Sequence, residues 1–254
     1  MDMSNRVVTV VLAAGAGKRL ADSARAAGIA APRHPRGKAL LQVGGRSLAL
    51  RAVQTARAAG TCPLLVLGHR ADEVSAALAI EAARRGIAPL RQDHIVTAAQ
   101  WSTGLSASFR AGVQQAACLG AREVAVLLAD QPGISSQALR RVLQAHMGAS
   151  RTGLRASARG PDQPSITRGV IEKTPTHPVV FEVKDALRAA GAAVGDSGAR
   201  AYLRENAARV APVDISDCAQ IIDVDTLDDL RRYTGEITVA YSSELASSLA
   251  GQAS

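Results

Sequence analysis

A doubly wound α/β domain, with a mostly parallel sheet between two layers of helices, is the fold this sequence predicts. Three observations predict it. Apolar, β-branched runs that read as buried strands (Val7–Leu12, Cys62–Leu67, Glu123–Ala129) alternate with segments of helical period over the first 145 residues. The strand-ending turns carry glycine and lead into helical sequence, as crossover connections between parallel strands require. Aromatic residues make up only 2% of a chain that is 47% hydrophobic, so Ala, Val and Leu must build the core. Side chains that small let helices pack closely on a parallel sheet.

The 254 residues are enough for one large domain. Residues 1–234 are expected to form it, with 21–37 as a basic insertion, 150–182 as a substrate-facing subregion and 235–254 as a peripheral tail. The first strand, Val7–Leu12, stops at Ala13-Ala14-Gly15-Ala16-Gly17, and Lys18-Arg19 follow. Unpaired backbone N–H groups, the positive end of a helix dipole and two cationic side chains converge there, which suits phosphate. On this stretch alone, an ordinary strand-to-helix turn with solvated charges reads equally well. Residues 21–37 have no clear period and read as a basic surface excursion. Lys38 heads a short extended segment ending at Gly44-Gly45.

Ser47–Ala59 places Leu48, Val53 and Ala56 on one helical face and stops at Gly60. Cys62–Leu67 is the second strand, and a third helix spans about Ala71 to Arg85. Ser102, Thr103, Ser106 and Ser108 surround Gly104 just before a helical segment, Phe109–Ala117. That pattern suits a second anion-facing helix N-terminus. Trp101 beside it reads as a core anchor rather than a ligand platform. Asp130 ends the strand Glu123–Ala129, where open α/β sheets place their ligands. A helix cap is the competing role, but Ser135 and Ser136 can serve it. From Thr152 to Phe181 the pattern loosens into turns and short strands. Val183–Ala190 is helical, 195–200 is a polar glycine loop and Ala201–Asn206 is a short helix. Arg209–Val213 and Ile221–Val224 read as extended, and Asp225 could cap a helix running through Tyr233.

The formal net charge of +8 and the pI near 10.1 favour anionic partners, but the cations are spread along the chain. So few aromatics, with no zinc-finger spacing, disfavour nucleic acid. A phosphorylated small molecule explains the charge as well. Cys62, Cys118 and Cys218 have no CxxC spacing and read as buried small hydrophobes of a reduced protein. Residues 1–6 lead straight into a strand, and no apolar run approaches membrane-spanning length, so a cytoplasmic protein without a membrane partner is expected.

The glycine loop with Arg19, Lys38, Asp130 and the acidic cluster Asp223, Asp225 and Asp228 suit nucleotidyl transfer. Cations and backbone N–H groups hold a triphosphate while carboxylates hold a divalent metal bridging its oxygens. Simple hydride transfer fits them poorly.

Seven motifs, in order across residues 7–233, resemble the molybdenum cofactor cytidylyltransferases and guanylyltransferases of the nucleotidyltransferase superfamily. They are Leu12-Ala13-Ala14-Gly15-Ala16-Gly17-Lys18-Arg19, Gly37-Lys38-Ala39-Leu40-Leu41, the stretch Trp101 to Ser108, Leu127-Leu128-Ala129-Asp130-Gln131-Pro132, His177-Pro178-Val179-Val180-Phe181, Gly195 to Arg200 and Ile222 to Leu230. Leu20-Ala21 with the insertion through Arg36, Thr176 and Leu227 depart from the family's pattern.

The resemblance implies a Rossmann-like, three-layer fold and transfer of CMP from CTP to the terminal phosphate of molybdopterin, with release of pyrophosphate. It implies that Leu12, Ala13, Ala14, Gly15, Gly17, Arg19 and Lys38 bind the nucleotide, with Arg19, Lys38 and Asp130 catalytic. It implies Mg²⁺ on Asp130 and Asp225, a molybdopterin side built from Ser106, His177, Asp196 and Arg200, and a recipient molybdoenzyme. A histidine satisfied by local backbone competes for His177, and a surface ion pair competes for Arg200. Asp228 and Asp229 read better as first-turn helix charges. Ala14, where the guanylyl branch tends to carry glycine, favours CTP over GTP. A sugar-phosphate nucleotidyltransferase, or a protein that only holds the cofactor for insertion, remain alternatives.

Overall fold

The computed structural model describes residues 7–28, 37–152 and 164–234. The expectations for the N-terminal lead-in, for most of the 21–37 insertion and for the C-terminal tail lie outside them. The chain runs β1 (Val7–Leu12), α1 (Lys18–Ala26), β2 (Gln42–Val43), β3 (Arg46–Ser47), α2 (Leu48–Ala58), β4 (Cys62–Leu67), α3 (Ala71–Arg84) and β5 (Ile95–Thr97). It continues α4 (Leu105–Cys118), β6 (Glu123–Leu128), α5 (Ser136–Thr152), β7 (Ile166–Ile171), β8 (Thr174–Glu182), α6 (Val183–Ala192), α7 (Arg200–Glu205), β9 (Val210–Asp214) and α8 (Leu227–Thr234).

Seven strands form one sheet in the order β5-β4-β1-β6-β8-β7-β9. β8 is antiparallel to both its neighbours, and the other strands run in one direction. The fold is therefore the expected doubly wound, mostly parallel α/β sheet. The chain fills the β4 side of β1 first and then returns to its other side with β6. That reversal opens a crevice at the C-terminal ends of β1 and β6, where such sheets take their ligands.

β1 is buried at all six positions, as a central strand covered on both faces must be. Val8, Val10 and Leu12 pack toward α4 and α6, together with Phe109, Val113, Phe181 and Ala186. Val11 faces α2 and α3 through Ala49, Val53, Val74 and Leu78. α5 covers the β6–β8 region through Leu139, Val142 and Leu143. α4 comes closest to the sheet at Gly112, where a Cβ would lie 2.5 Å from Val10 Cγ1 and 2.8 Å from Val66 Cγ2.

Four sequence expectations change. Residues 21–26 are not an irregular excursion. They continue α1, burying Ala21 and packing Leu20 and Ala24 against Leu227 and Leu230 of α8. Of the 150–182 stretch, 166–182 supplies two strands of the main sheet, β8 pairing with the edge of β6 and β7 with β8. Ile221–Val224 is not a strand, since its backbone bonds to a loop rather than to a sheet edge. None of the cysteines is buried: Cys118 is exposed, and Cys62 and Cys218 are half-buried.

The close approach of α4 has a measurable consequence. Gly112→Val forces branched methyl groups into the Val10 and Val66 side chains and should destabilise the fold by about 2–3 kcal/mol, read as a lower urea midpoint at unchanged slope.

Candidate active site

The turn after β1 is pinned by its own backbone. Ala13 N–H donates to Val66 O (2.9 Å), and the carbonyls of Ala14, Gly15 and Gly17 accept from His69 N (3.0 Å), Lys38 N (3.0 Å) and Ala21 N (3.1 Å). Gly17 takes a left-handed φ of 72°, and a Cβ there would sit 3.3 Å from Lys38 Cβ. Glycine is the residue that meets both demands. A Cβ at Gly15 would meet nothing within 4 Å, so that flank of the turn is open to a ligand. α1 then begins at Lys18 with no side-chain cap and no acidic residue in its first turn. Its positive end therefore faces a cleft of about 570 Å³ lined by this turn.

Across the cleft, β6 delivers Asp130. Ala129 N–H donates to Leu12 O (3.0 Å), which sets Asp130 beside the glycine turn. A strap from the C-terminal part of the chain lies along the same loop, with Gln220 N–H on Gly133 O (3.1 Å) and Val224 N–H on Asp130 O (2.9 Å). Asp223 and Asp225 flank Val224 and both line the cleft. Asp225 does not cap α8. Thr226 and Asp229 bond each other's backbone N–H groups in a reciprocal cap, and Asp228 and Asp229 are first-turn charges. Asp225 is thereby free for the cleft.

Lys38 joins the two halves. Its Nζ donates to Asp130 Oδ2 (2.6 Å) and to Asp225 Oδ1, and Arg19 Nη1 lies 2.9 Å from Asp225 Oδ2. Burial works against the Lys38 charge, but the Asp130 charge and the hydrogen bonds Lys38 donates to both carboxylates raise its pKa above the usual lysine value. Asp223 stays off this cluster, its Oδ1 accepting from Gln131 Nε2 (2.7 Å). Burial pushes the Asp223 pKa up. Gln131 Oε1 in turn takes a hydrogen bond from His177 Nδ1 (3.1 Å). The His177 imidazole is desolvated and feels the Arg168 and Arg200 charges, which lowers its pKa from 6.5 to about 3. His177 is therefore neutral at physiological pH.

Leu12, Ala13, Ala14, Gly15, Gly17, Arg19, Lys38, Asp130 and Asp225 are thus brought to one cleft, and Asp196 reaches its opposite wall. Asp196 also accepts from Leu105 N–H (3.1 Å). The helix N-terminus expected to face an anion at α4 is served by this carboxylate. Ser106 is buried in α4 and is not on the cleft wall; Ser102 and Ser108 are. His177 and Arg200 stand behind the wall rather than on it, and Arg200 is exposed at the start of α7. Trp101 is both anchor and wall. It packs edge-on to His69 with ring centroids 5.3 Å apart and lines the cleft.

Sequence reasoning assigned no role to Gln131 or Arg168. Gln131 had a usable signal, since it directly follows the strand-end carboxylate. Arg168 had none, because the β7–β8 pairing places it by carrying its Nε to Thr176 O (3.2 Å).

Asp130 and Asp225 suit a hard dication, which takes one or two carboxylates and fills its shell with phosphate oxygens and water. Among the described residues no group of three or more His, Cys, Asp or Glu side chains could hold a metal unaided.

A doubly wound sheet whose direction switches over a glycine turn, with carboxylates opposite, defines an α/β protein with a ligand cleft at its switch point. Residues 9–210 match the MobA-like NTP transferase domain, and the chain belongs to that family. It is 34% identical over 229 residues to the nicotine blue oxidoreductase of Paenarthrobacter nicotinovorans, covering 89% of this chain and 95% of that protein. In fold it is similar to a nucleotidyl transferase from Methanothermobacter thermautotroptrophicus, with a TM-score of 0.65 at 21% identity over 91% of this chain and 97% of that one. A Mycobacterium tuberculosis protein solved in complex with manganese shares the fold at a TM-score of 0.56 and 21% identity, over 91% and 99% of the two chains. No helix among the described residues is long and apolar enough to cross a membrane.

His177 gives a test by pH. Its folded pKa lies below its unfolded value, so between about pH 6.5 and about pH 3 the unfolded chain binds a proton that the folded chain does not. Stability contributed this way falls as the pH drops through that window. His177→Asn should flatten that part of the stability profile measured by urea unfolding at stepped pH, and NMR of the wild type should show this imidazole untitrated at pH 5.

Proposed function

We propose that this protein transfers CMP from CTP to the terminal phosphate of molybdopterin carrying molybdenum, releasing pyrophosphate. The observation that carries the reading is Lys38. Rooted on the glycine turn and reaching both Asp130 and Asp225, it joins an anion-binding wall to a cation-binding wall in one cleft. Asp130 and Asp225 would hold a divalent cation such as Mg²⁺, which would supply positive charge against the phosphates. A structural neighbour solved in complex with manganese is consistent with use of a divalent cation.

The chain's own residues do the rest by positioning and electrostatics. Backbone N–H groups at 15–18 and the α1 N-terminus hold the outer phosphates, and exposed Arg19 reaches them. Lys38 neutralises charge at the α-phosphate. A phosphate oxygen of the acceptor bonds to the α-phosphorus as the bond from that phosphorus to the bridging oxygen of the β-phosphate breaks, and pyrophosphate leaves. The attacking oxygen is already anionic, so no protein nucleophile is needed. The Ala13 and Ala14 methyl groups narrow the base end and favour cytosine. Neutral His177, held by Gln131 and near Arg168 and Arg200, would support the acceptor side from behind the cleft wall. A recipient molybdoenzyme would take the product, and a cytoplasmic site fits this chemistry.

The 34% identity to a protein named as an oxidoreductase favours one second reading. There the same cleft would take a reduced nicotinamide dinucleotide by its phosphates, and Trp101 would offer a planar wall to a pigment substrate.

One assay series separates them. With Mg²⁺ and molybdenum cofactor, pyrophosphate should appear faster from CTP than from GTP. Faster GTP turnover would reverse only the base assignment. No pyrophosphate from any nucleotide, with NADH or NADPH oxidised in the presence of nicotine blue, would replace the transferase reading by the second one. Asp130→Ala should lower pyrophosphate release by at least about a hundredfold while the circular dichroism spectrum and melting temperature stay near wild type.

A further inference from the structure

The position between Asp130 and Asp225 is held by a cation of the chain itself. Lys38 Nζ contacts a carboxylate oxygen of each, and Arg19 Nη1 lies 2.9 Å from the other oxygen of Asp225. The Lys38 side chain is only 11% exposed, so water screens this arrangement little. A dication drawn to the same oxygens meets like charge at contact range and must displace two charge-assisted hydrogen bonds.

The way Lys38 can leave is set by its root. Its backbone N–H is bonded to Gly15 O (3.0 Å), and its Cβ packs beside Gly17, so the backbone is fixed to the glycine turn. Only the four-carbon stem can swing. The swing runs from the carboxylates toward the turn, where a triphosphate would give the ammonium a new anion.

We propose that Lys38 sets the order of binding: its ammonium closes the Asp130–Asp225 pair to a divalent cation until a nucleoside triphosphate draws it onto the glycine turn. Nucleotide therefore enters before the metal or together with it. This rests on the nucleotide-binding reading of the cleft, but not on CTP or on the acceptor. Lys38 is in this respect a positioning residue as well as a phosphate ligand, because the two carboxylates repel each other once it has moved and gain affinity for a dication.

The test reads Mn²⁺ alone, by electron paramagnetic resonance of free Mn²⁺ and by calorimetry, without turnover. Wild-type protein should bind Mn²⁺ weakly, and unreactive α,β-methylene triphosphates of cytidine, guanosine or adenosine should tighten it. Lys38→Gln should tighten Mn²⁺ binding about tenfold or more without nucleotide, and adding Asp130→Asn to it should remove that gain. Lys38→Arg, which keeps the charge, should bind as weakly as wild type. Wild-type affinity that is independent of nucleotide, or equal Mn²⁺ affinities in wild type and Lys38→Gln, would overturn the proposal. Nucleotide-only controls subtract the Mn²⁺ that the triphosphate itself binds, and Lys38→Met repeats the nucleotide-free comparison if Lys38→Gln does not fold. Pyrophosphate release plays no part, so failure of the cytidylyl-transfer reading and failure of this proposal give different results.

Discussion

The rest of the site depends on one electrostatic constraint: two aspartates from distant parts of the chain share the ammonium of a third residue. Lys38 is 92 residues from Asp130 and 187 from Asp225. Two carboxylates this close repel unless a cation lies between them. Shielded as it is, breaking such a cluster by removing one partner costs more than the cluster itself contributes to stability. The arrangement is therefore poor evidence of a stability device and good evidence of a site. It needs a cation at the position where the chemistry of phosphate transfer also needs one.

Backbone geometry, rather than side-chain attraction, brings the three residues together. β1 and β6 pair in register from Val7 with Glu123 to Leu12 with Leu128, so the turns after them end side by side. Lys38 reaches the first turn by its own N–H, and the 219–225 strap reaches the second through Ile134, Gly133 and Asp130. Each acidic side chain is presented by a segment whose main chain is bonded elsewhere. Gln131 adds a second tier by holding Asp223 with its amide N–H and His177 with its amide oxygen. The acid that lines the cleft and the imidazole behind it are thus oriented by one side chain.

The fold was legible because β1, β4 and β6 are continuous apolar runs whose length and flanking glycines leave little choice, and their predicted bounds hold to within a residue. The cleft residues that lie on strand-end turns were legible for the same reason, since the topology alone brings Gly15, Lys38 and Asp130 to one edge. What was not legible depends on pairing between remote segments. Nothing local says that β8 runs antiparallel to β6, that Asp196 spends its carboxylate on the Leu105 N–H, or that Ser106 turns inward while Ser108 lines the cleft. Of the two roles the sequence offered Asp225, the cap is taken by Thr226 and Asp229, which form a reciprocal cap with aspartate in place of the commoner glutamate.

The departure after Arg19 acquires a structural reason from the same contacts. Leu20 is fully buried, and Ala21 and Ala24 are small enough to let α8 lie against α1, with Leu227 and Leu230 filling the space. Ser23 completes the joint: its Oγ accepts from Leu227 N–H (2.9 Å) and donates to Leu20 O (2.9 Å). The helix that opens at the glycine turn is thereby fastened to the helix that opens just after Asp225. The glycine-turn end of the cleft and the Asp225 end share one packed joint, so their spacing is set by a helix pair. The side chains that bridge the two ends within that frame are those of Lys38 and Arg19.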